Sequence, residues 1–284
     1  MPTLREIIAE YKETKRGLGH FNISDSNQLH AVALAAKETG LPVLVGLSEG
    51  ERDFFPLTHA RALIDVYRAQ GVSLYLNADH TYSVERVQHA IADGVDSVVV
   101  DGAKLPFEEN AHLLNTAVKY ARASGREVLI EGELGYIGTS SSVMETLPEG
   151  AAITEEMMTK PEELRLLVEQ TGIDLVAPAV GNIHGIVTHG QPKLSIERIK
   201  TLKEAVSVPL VLHGGSGSSD DEFKAAIQAG VAIIHINTDL RVIYKNELTQ
   251  ALGGKEVAPY KFLTPAVAAM QGYVAQKMRL FAGV

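Results

Sequence analysis

The chain is 284 residues long, 45% hydrophobic and carries a formal net charge of −9, with enough apolar material for one large core. That acidic balance, without a Lys/Arg run, argues against a general nucleic-acid or membrane-surface role, and the absence of Cys excludes disulfides, thiolate ligands and a Cys nucleophile. The start, Met-Pro-Thr-Leu-Arg-Glu, has no apolar signal core, and no run is long enough to span a bilayer, so the cytoplasm is the expected compartment.

Thr3 can cap a first helix reaching about residue 15, with Leu4, Ile7, Ile8 and Tyr11 on one face. A first strand is expected over 18–23, followed by strands near 42–47, 72–77, 96–100, 127–131, 174–178, 208–212 and 232–236. Helices are expected near 27–39, 56–70, 83–92, 108–124, 161–171, 195–205 and 220–229, with another near 239–252. Gly40, Gly71, Gly94, Gly125, Gly172 and Gly230 each follow a helix and precede a strand, the C-cap position. Asp220 and Asp221 can cap the helix that begins there. Eight such units predict a (β/α)8 TIM barrel, read as a single domain over 1–284 with an extra N-terminal helix and a C-terminal helical extension from about 255. In that extension Val267, Met270, Val274, Met278 and Phe281 form an apolar stripe that covers the barrel or meets a partner.

The active site of such a barrel lies just past the strand ends. His80, His184 and His213 arrive there from three different strands, the donor set of a three-nitrogen catalytic zinc site with open positions. Asp79, beside His80, reads as a general acid/base, and Ser83 is better placed to cap the helix that follows. Glu131 and Glu133 share one face of a strand, as an alternative ligand and a partner for a His, or as a solvated pair. His20, His30, His59, His89, His112 and His189 read as surface or packing residues. Backbone N–H groups of Gly185, of Gly214, Gly215 and Ser216, and of Asn237 and Thr238 suit a phosphate in the usual corner of this fold. Asn22, Ser48 and His235, also at strand ends, are further substrate-side candidates. There is no G-x-G-x-x-G or Walker A sequence, so a nucleotide is not indicated. The aperiodic stretch 135–160 reads as a lid or catalytic arm, with Glu145 and Glu149 as the carboxylates it could carry.

These residues resemble the class II, zinc-dependent fructose-bisphosphate and tagatose-bisphosphate aldolases. The matching stretches are Gly19-His-Phe-Asn-Ile, Asn77-Ala-Asp-His, Ser97-Val-Val-Val-Asp-Gly, Glu131-Gly-Glu-Leu-Gly, Gly181-Asn-Ile-His-Gly and Leu212-His-Gly-Gly-Ser-Gly, together with the tail from Pro259 through Met270. The resemblance implies a lyase that splits a ketose 1,6-bisphosphate, fructose or alternatively tagatose, into dihydroxyacetone phosphate and glyceraldehyde 3-phosphate. It implies Zn2+ on His80, His184 and His213, with Glu133 and Asp101 able to hold a second or displaced metal. Asp79 would exchange the proton of the substrate C4 hydroxyl, and Gly185, Gly214, Ser216, Asn237 and Thr238 would serve phosphate and a monovalent cation, Na+ or K+. The assembly it implies is a homodimer or homotetramer.

The chain departs from that pattern at three places. His235 stands where the family usually has Asn, Asn237 where it has Asp, and Thr139-Ser-Ser-Ser where its mobile loop carries an acidic pair. The loop carboxylate would then be Glu145 or Glu149, and Glu145 is preferred because Pro148 and Gly150 suggest a turn around Glu149. Two competing readings are a Schiff-base aldolase using Lys104, which needs a desolvated pocket, and a non-catalytic barrel that binds metal and phosphosugar.

Overall fold

The computed structural model describes residues 1–138, 141–147, 151 and 153–284. Its strands are β1 (Leu18–Asn22), β2 (Val43–Leu47), β3 (Leu74–Thr81), β4 (Ser97–Val100), β5 (Leu129–Leu134), β6 (Val143–Met144), β7 (Leu175–Pro178), β8 (Ile186–Val187), β9 (Leu210–Leu212) and β10 (Val231–Ile236). Eight of them close a barrel in the order β1-β10-β9-β7-β5-β4-β3-β2, and every pairing is parallel. Parallel strands need crossovers, and helices supply them, so the buried strands are apolar runs without alternation. The expected (β/α)8 barrel is therefore the fold.

Two features differ from the sequence expectation. β6 and β8 form a separate parallel pair, and a short helix Glu49–Phe54 follows β2. Elements of two and six residues are too short to show a period, and local hydrogen bonding decides them instead. The helix at Asp220–Ala229 is capped by Ser219, whose side chain accepts from the Glu222 N–H, while Asp220 and Asp221 occupy the first turn. Ser219 stands one position before the first helical residue, where a side-chain oxygen meets the third amide, and the two carboxylates inside the first turn favour the helix N-terminus by charge instead.

Alternate residues along each strand face the barrel axis, and their character changes with height. The lowest layer, with Leu18, Leu44, Tyr75, Leu129, Leu175, Val211 and Ile233, is apolar. Leu4, Ile7, Ile8 and Tyr11 of the N-terminal helix Leu4–Glu13 close it from below. Each such buried side chain contributes about 1.5–3 kcal/mol. Two residues further along the same strands stand His20, Gly46, Asn77, Glu131, His213 and His235. Above them come Asn22, Asp79, Glu133 and Asn237. The barrel is thus plugged at one end and polar at the other.

The C-terminal helix Thr264–Ala282 covers the barrel rather than standing free. Met270, Val274, Met278 and Phe281 are buried against the helices Ser26–Thr39 and Thr238–Leu252 and against β1. No helix among the described residues is long and apolar enough to cross a membrane.

Candidate active site

β3 carries the two adjacent residues singled out as ligand and base. Regular alternation would send Asp79 and His80 to opposite faces of the strand. The pairing of β3 with β4 slips between Ala78 and Thr81, and His80 adopts φ 38°, a left-handed conformation unusual for a residue with Cβ. That irregularity turns both side chains into the mouth of the barrel, a strained arrangement of the kind that collects at working sites.

His80, His184 and His213 meet there, with donor atoms all within 4.8 Å of one another. Each ring has one nitrogen engaged behind it. His80 Nδ1 is 3.0 Å from Asp101 Oδ2, His184 Nδ1 donates to the Gly138 carbonyl at 2.6 Å, and His213 Nε2 lies 2.6 Å from Glu131 Oε1. The other nitrogen of each faces the cluster, which is how metal-binding imidazoles are oriented by their outer partners. The buried His213 Nδ1, Glu133 Oε2 and Asp79 Oδ1 have no hydrogen-bond partner. Three orphaned donors or acceptors at one spot are costly unless something satisfies them. This donor set of imidazoles and carboxylates fits a zinc ion.

The charges around the three rings are shared unevenly. Burial opposes a charge on His80, but Asp79, Asp101 and Glu133 outweigh it and push the ring up to about 10. Burial and the His80 charge bring His184 down to about 4 and hold His213 well below its usual value, so both are neutral donors. Burial raises Glu131 to about 7, and burial with the Asp101 charge raises Glu133 well above the carboxylate range. The carboxyls crowded here call for a cation.

Asp79 is held differently. Asn22 Nδ2 donates to its Oδ2 at 2.9 Å and also to Glu51 Oε2 at 3.0 Å. Its Oδ1 lies 3.6 Å from His235 Nδ1 and 3.8 Å from His80 Nε2. Burial works against the Asp79 charge, but the His80 cation and the His235 ring keep the carboxyl well below its usual range. Its carboxyl is therefore in the ionised form, able to accept a proton, beside the three imidazoles. Glu51, missed in the sequence, is the hub behind it: it also accepts from Ser48 N at 2.7 Å and Arg241 Nη2 at 2.6 Å.

One cavity at the mouth is lined by Ser48, Asp79, His80, Asp101, His184 and Arg241 among others. A second, adjoining one brings together Asn22, Gly185, Gly214, Ser216, His235, Asn237 and Thr238, the expected phosphate corner. Two of its amides are already engaged: Gly215 N donates to His235 O at 3.0 Å, and Asn237 N to Ser216 Oγ at 3.3 Å. Among the described residues, no backbone bond is made by the N–H groups of Gly185, Gly214, Ser216 and Thr238, which are placed to meet an anion, the last at a helix N-terminus. Gly214 is required where it stands, since at φ 61° an added Cβ would lie 2.1 Å from the Ile183 carbonyl oxygen.

Glu145 is exposed, immediately follows β6, and lines neither cavity. Glu149 lies outside the described residues, as do Thr139, Ser140, Pro148 and Gly150. Lys104 is exposed, with its ammonium 5.3 Å from the Tyr136 ring centroid, and so lacks the dry pocket a Schiff-base amine requires. His30, His59, His89, His112 and His189 are exposed, as expected. His20 is not a surface residue: it is fully buried inside the barrel, stacked on His235. Gly46, within the apolar strand Val43–Leu47, was the available signal for it, since a glycine inside a strand marks a close approach.

Fold and site together define a (β/α)8 barrel enzyme with a candidate metal centre at the C-terminal ends of its strands. The chain belongs to the class-II fructose-bisphosphate aldolase family, matching it over residues 2–284. It is 31% identical to a fructose-bisphosphate aldolase of Geobacillus stearothermophilus over 286 residues, covering 98% of this chain and 96% of that one. A fructose-bisphosphate aldolase of Staphylococcus epidermidis is 31% identical over 285 residues, with the same coverage of 98% and 96%. Among solved structures, the YdjI aldolase from Escherichia coli K12 superposes with a TM-score of 0.82 at 27% identity, over 99% of this chain and 97% of that one.

Proposed function

We propose that the chain cleaves fructose 1,6-bisphosphate to dihydroxyacetone phosphate and glyceraldehyde 3-phosphate, and runs the reverse condensation. The observation that carries this reading is the cluster of three imidazoles, each backed by an oxygen and each presenting its second nitrogen to one point beside Asp79. His80, His184 and His213 would hold a zinc ion, with Glu133 and Asp101 near enough to take part. Bound there, zinc supplies positive charge that polarises the substrate ketone and offsets the negative charge that grows as the carbon–carbon bond breaks.

The chain's own residues do the rest. Asp79 takes the proton from the C4 hydroxyl, and Asn22 fixes the direction of its carboxylate. Gly185, Gly214, Ser216 and Thr238 anchor the phosphate of the dihydroxyacetone half, with Na+ or K+ as a companion cation, so that the scissile bond lies over Asp79. Asn22, Ser48, His235 and Asn237 complete the substrate walls. A cytoplasmic homodimer or homotetramer is part of the same reading.

The test is a cleavage assay on the purified chain, following dihydroxyacetone phosphate by coupled reduction. Turnover is expected, abolished by a chelator and restored by zinc. Chelator-resistant turnover would instead favour an amine nucleophile, and no turnover on fructose or tagatose 1,6-bisphosphate would leave a binding protein.

We assign Glu145 the return of the proton to the nascent carbanion, carried in by the segment that β6 ties to β8. Glu145→Gln is expected to slow turnover about 10-fold or more while ferricyanide still detects the carbanion. If the variant turns over at the parent rate, another group delivers that proton, and Glu149→Gln is the next to measure.

A further inference from the structure

His20 and His235 are register partners on β1 and β10, the first and last strands of the barrel. Their rings stack at 3.5 Å with an interplanar angle of 7°, and His235 stacks in turn on His213 at 4.1 Å and 22°. The bottom of this stack is fixed by hydrogen bonding. Asn77 Nδ2 donates to Ser97 Oγ at 2.8 Å, which turns the Asn77 oxygen toward His20 Nε2 at 3.0 Å. His20 must therefore carry its hydrogen on Nε2. The neighbouring strand makes room for the ring: a Cβ on Gly46 would lie 2.2 Å from His20 Cε1. A glycine inside one strand, an amide–hydroxyl pair on two others and a buried imidazole thus serve a single ring position.

What that position governs is His235. It is the stack member that reaches the substrate cavity, and its Nδ1 faces the unpartnered Oδ1 of Asp79 at 3.6 Å. The donor atoms of His20, Asp79 and His235 lie within 4.8 Å of one another. Parallel stacked rings, however, keep their in-plane lone pairs parallel instead of convergent, which is the wrong geometry for two ligands of one ion. We infer that His20 is a positioning residue for the aldol step, holding His235 face to face so that its Nδ1 stays directed at the second oxygen of the Asp79 carboxylate, 3.6 Å away. Asn22 holds the first oxygen by a hydrogen bond, the His235 ring stands against the other, and the carboxylate is kept in one orientation for taking the C4-hydroxyl proton. The catalytic part of this inference rests on the aldolase reading above; the orientation of His235 does not.

The experiment compares three substitutions in the zinc-loaded enzyme. His20→Ala removes ring and hydrogen bond, His20→Gln keeps a donor for Asn77 without a ring, and His20→Phe keeps a ring without the donor. The expected result is a fall in kcat of about 10- to 100-fold for Ala and Gln, with KM for fructose 1,6-bisphosphate changed less than twofold, and recovery to within about threefold of the parent for Phe. In nitrogen NMR of the same diamagnetic proteins, His235 is expected to show one fixed tautomer with its hydrogen on Nδ1 in the parent and Phe proteins and an averaged ring in Ala and Gln. If Ala does not fold, Gln against Phe decides. An unchanged His235 tautomer in Gln, a loss expressed in KM alone, or loss of a second equivalent of zinc overturns the inference. A parent enzyme that holds the His235 tautomer but cleaves no ketose bisphosphate overturns the aldolase reading and leaves the positioning of His235 standing.

Discussion

Asp79→Asn is expected to lower kcat by roughly 10²- to 10⁴-fold, the range for loss of a general acid or base, while zinc and dihydroxyacetone phosphate still bind. The substitution keeps the shape of the side chain and an oxygen for the Asn22 Nδ2 donor, which is 2.9 Å away in the parent. It removes the ionised oxygen that faces the His80 and His235 rings within a buried site. The loss should therefore appear in kcat and kcat/KM together, with little change in binding. Steady-state kinetics with metal analysis of the same preparation reads this directly. A variant with parental kcat and a raised KM would make Asp79 a binding residue.

The second large effect concerns the imidazoles. His80→Ala, His184→Ala and His213→Ala should each purify with the barrel intact but little zinc, because a three-ligand site loses most of its affinity with one ligand gone. Activity should fall to background and recover only in part with excess zinc. Glu131→Gln is the graded version. It keeps a hydrogen-bond acceptor 2.6 Å from His213 Nε2 but weakens it, and zinc affinity should drop about 10- to 100-fold. Circular dichroism and metal analysis of the purified variants separate unfolding from metal loss. Full zinc occupancy in any of the three Ala variants would remove that residue from the ligand set.

Much of this site was legible in the sequence because barrel geometry maps chain position onto place. Once the stretch 208–212 reads as a strand, His213 must stand at its end, and the same reasoning brings Asp79, His80 and His184 to the same rim. What was not legible depends on contact. Glu51 and Arg241 sit in separate elements and join at 2.6 Å only in the folded chain. Glu131 was ambiguous because a carboxylate on an emerging strand is either a solvated group or a partner, and only the His213 ring decides which. His20 looked like packing because a lone His near the start of a strand carries no pattern, and its meaning comes from the ring facing it across a strand boundary. Conversely, the phosphate corner seemed richer in free amides than it is, since Gly215 and Asn237 use theirs to hold the loops together.

The junction of β1 with β10 bears on how the molecule is made. His20 and Asn22 lie on one side of that seam, His235 and Asn237 on the other, and the segment before β1 is tied to the far end of the chain where Gly17 N donates to Phe281 O at 2.8 Å. During synthesis the last strand emerges long after the first, so the seam closes late and only when nearly the whole chain is available. A nascent or prematurely ended chain can carry His80 and Asp79 on β3, yet it lacks one wall of the place where they work. Completion of the catalytic centre and closure of the barrel are in that sense the same event, and an incomplete product of translation is an inactive one.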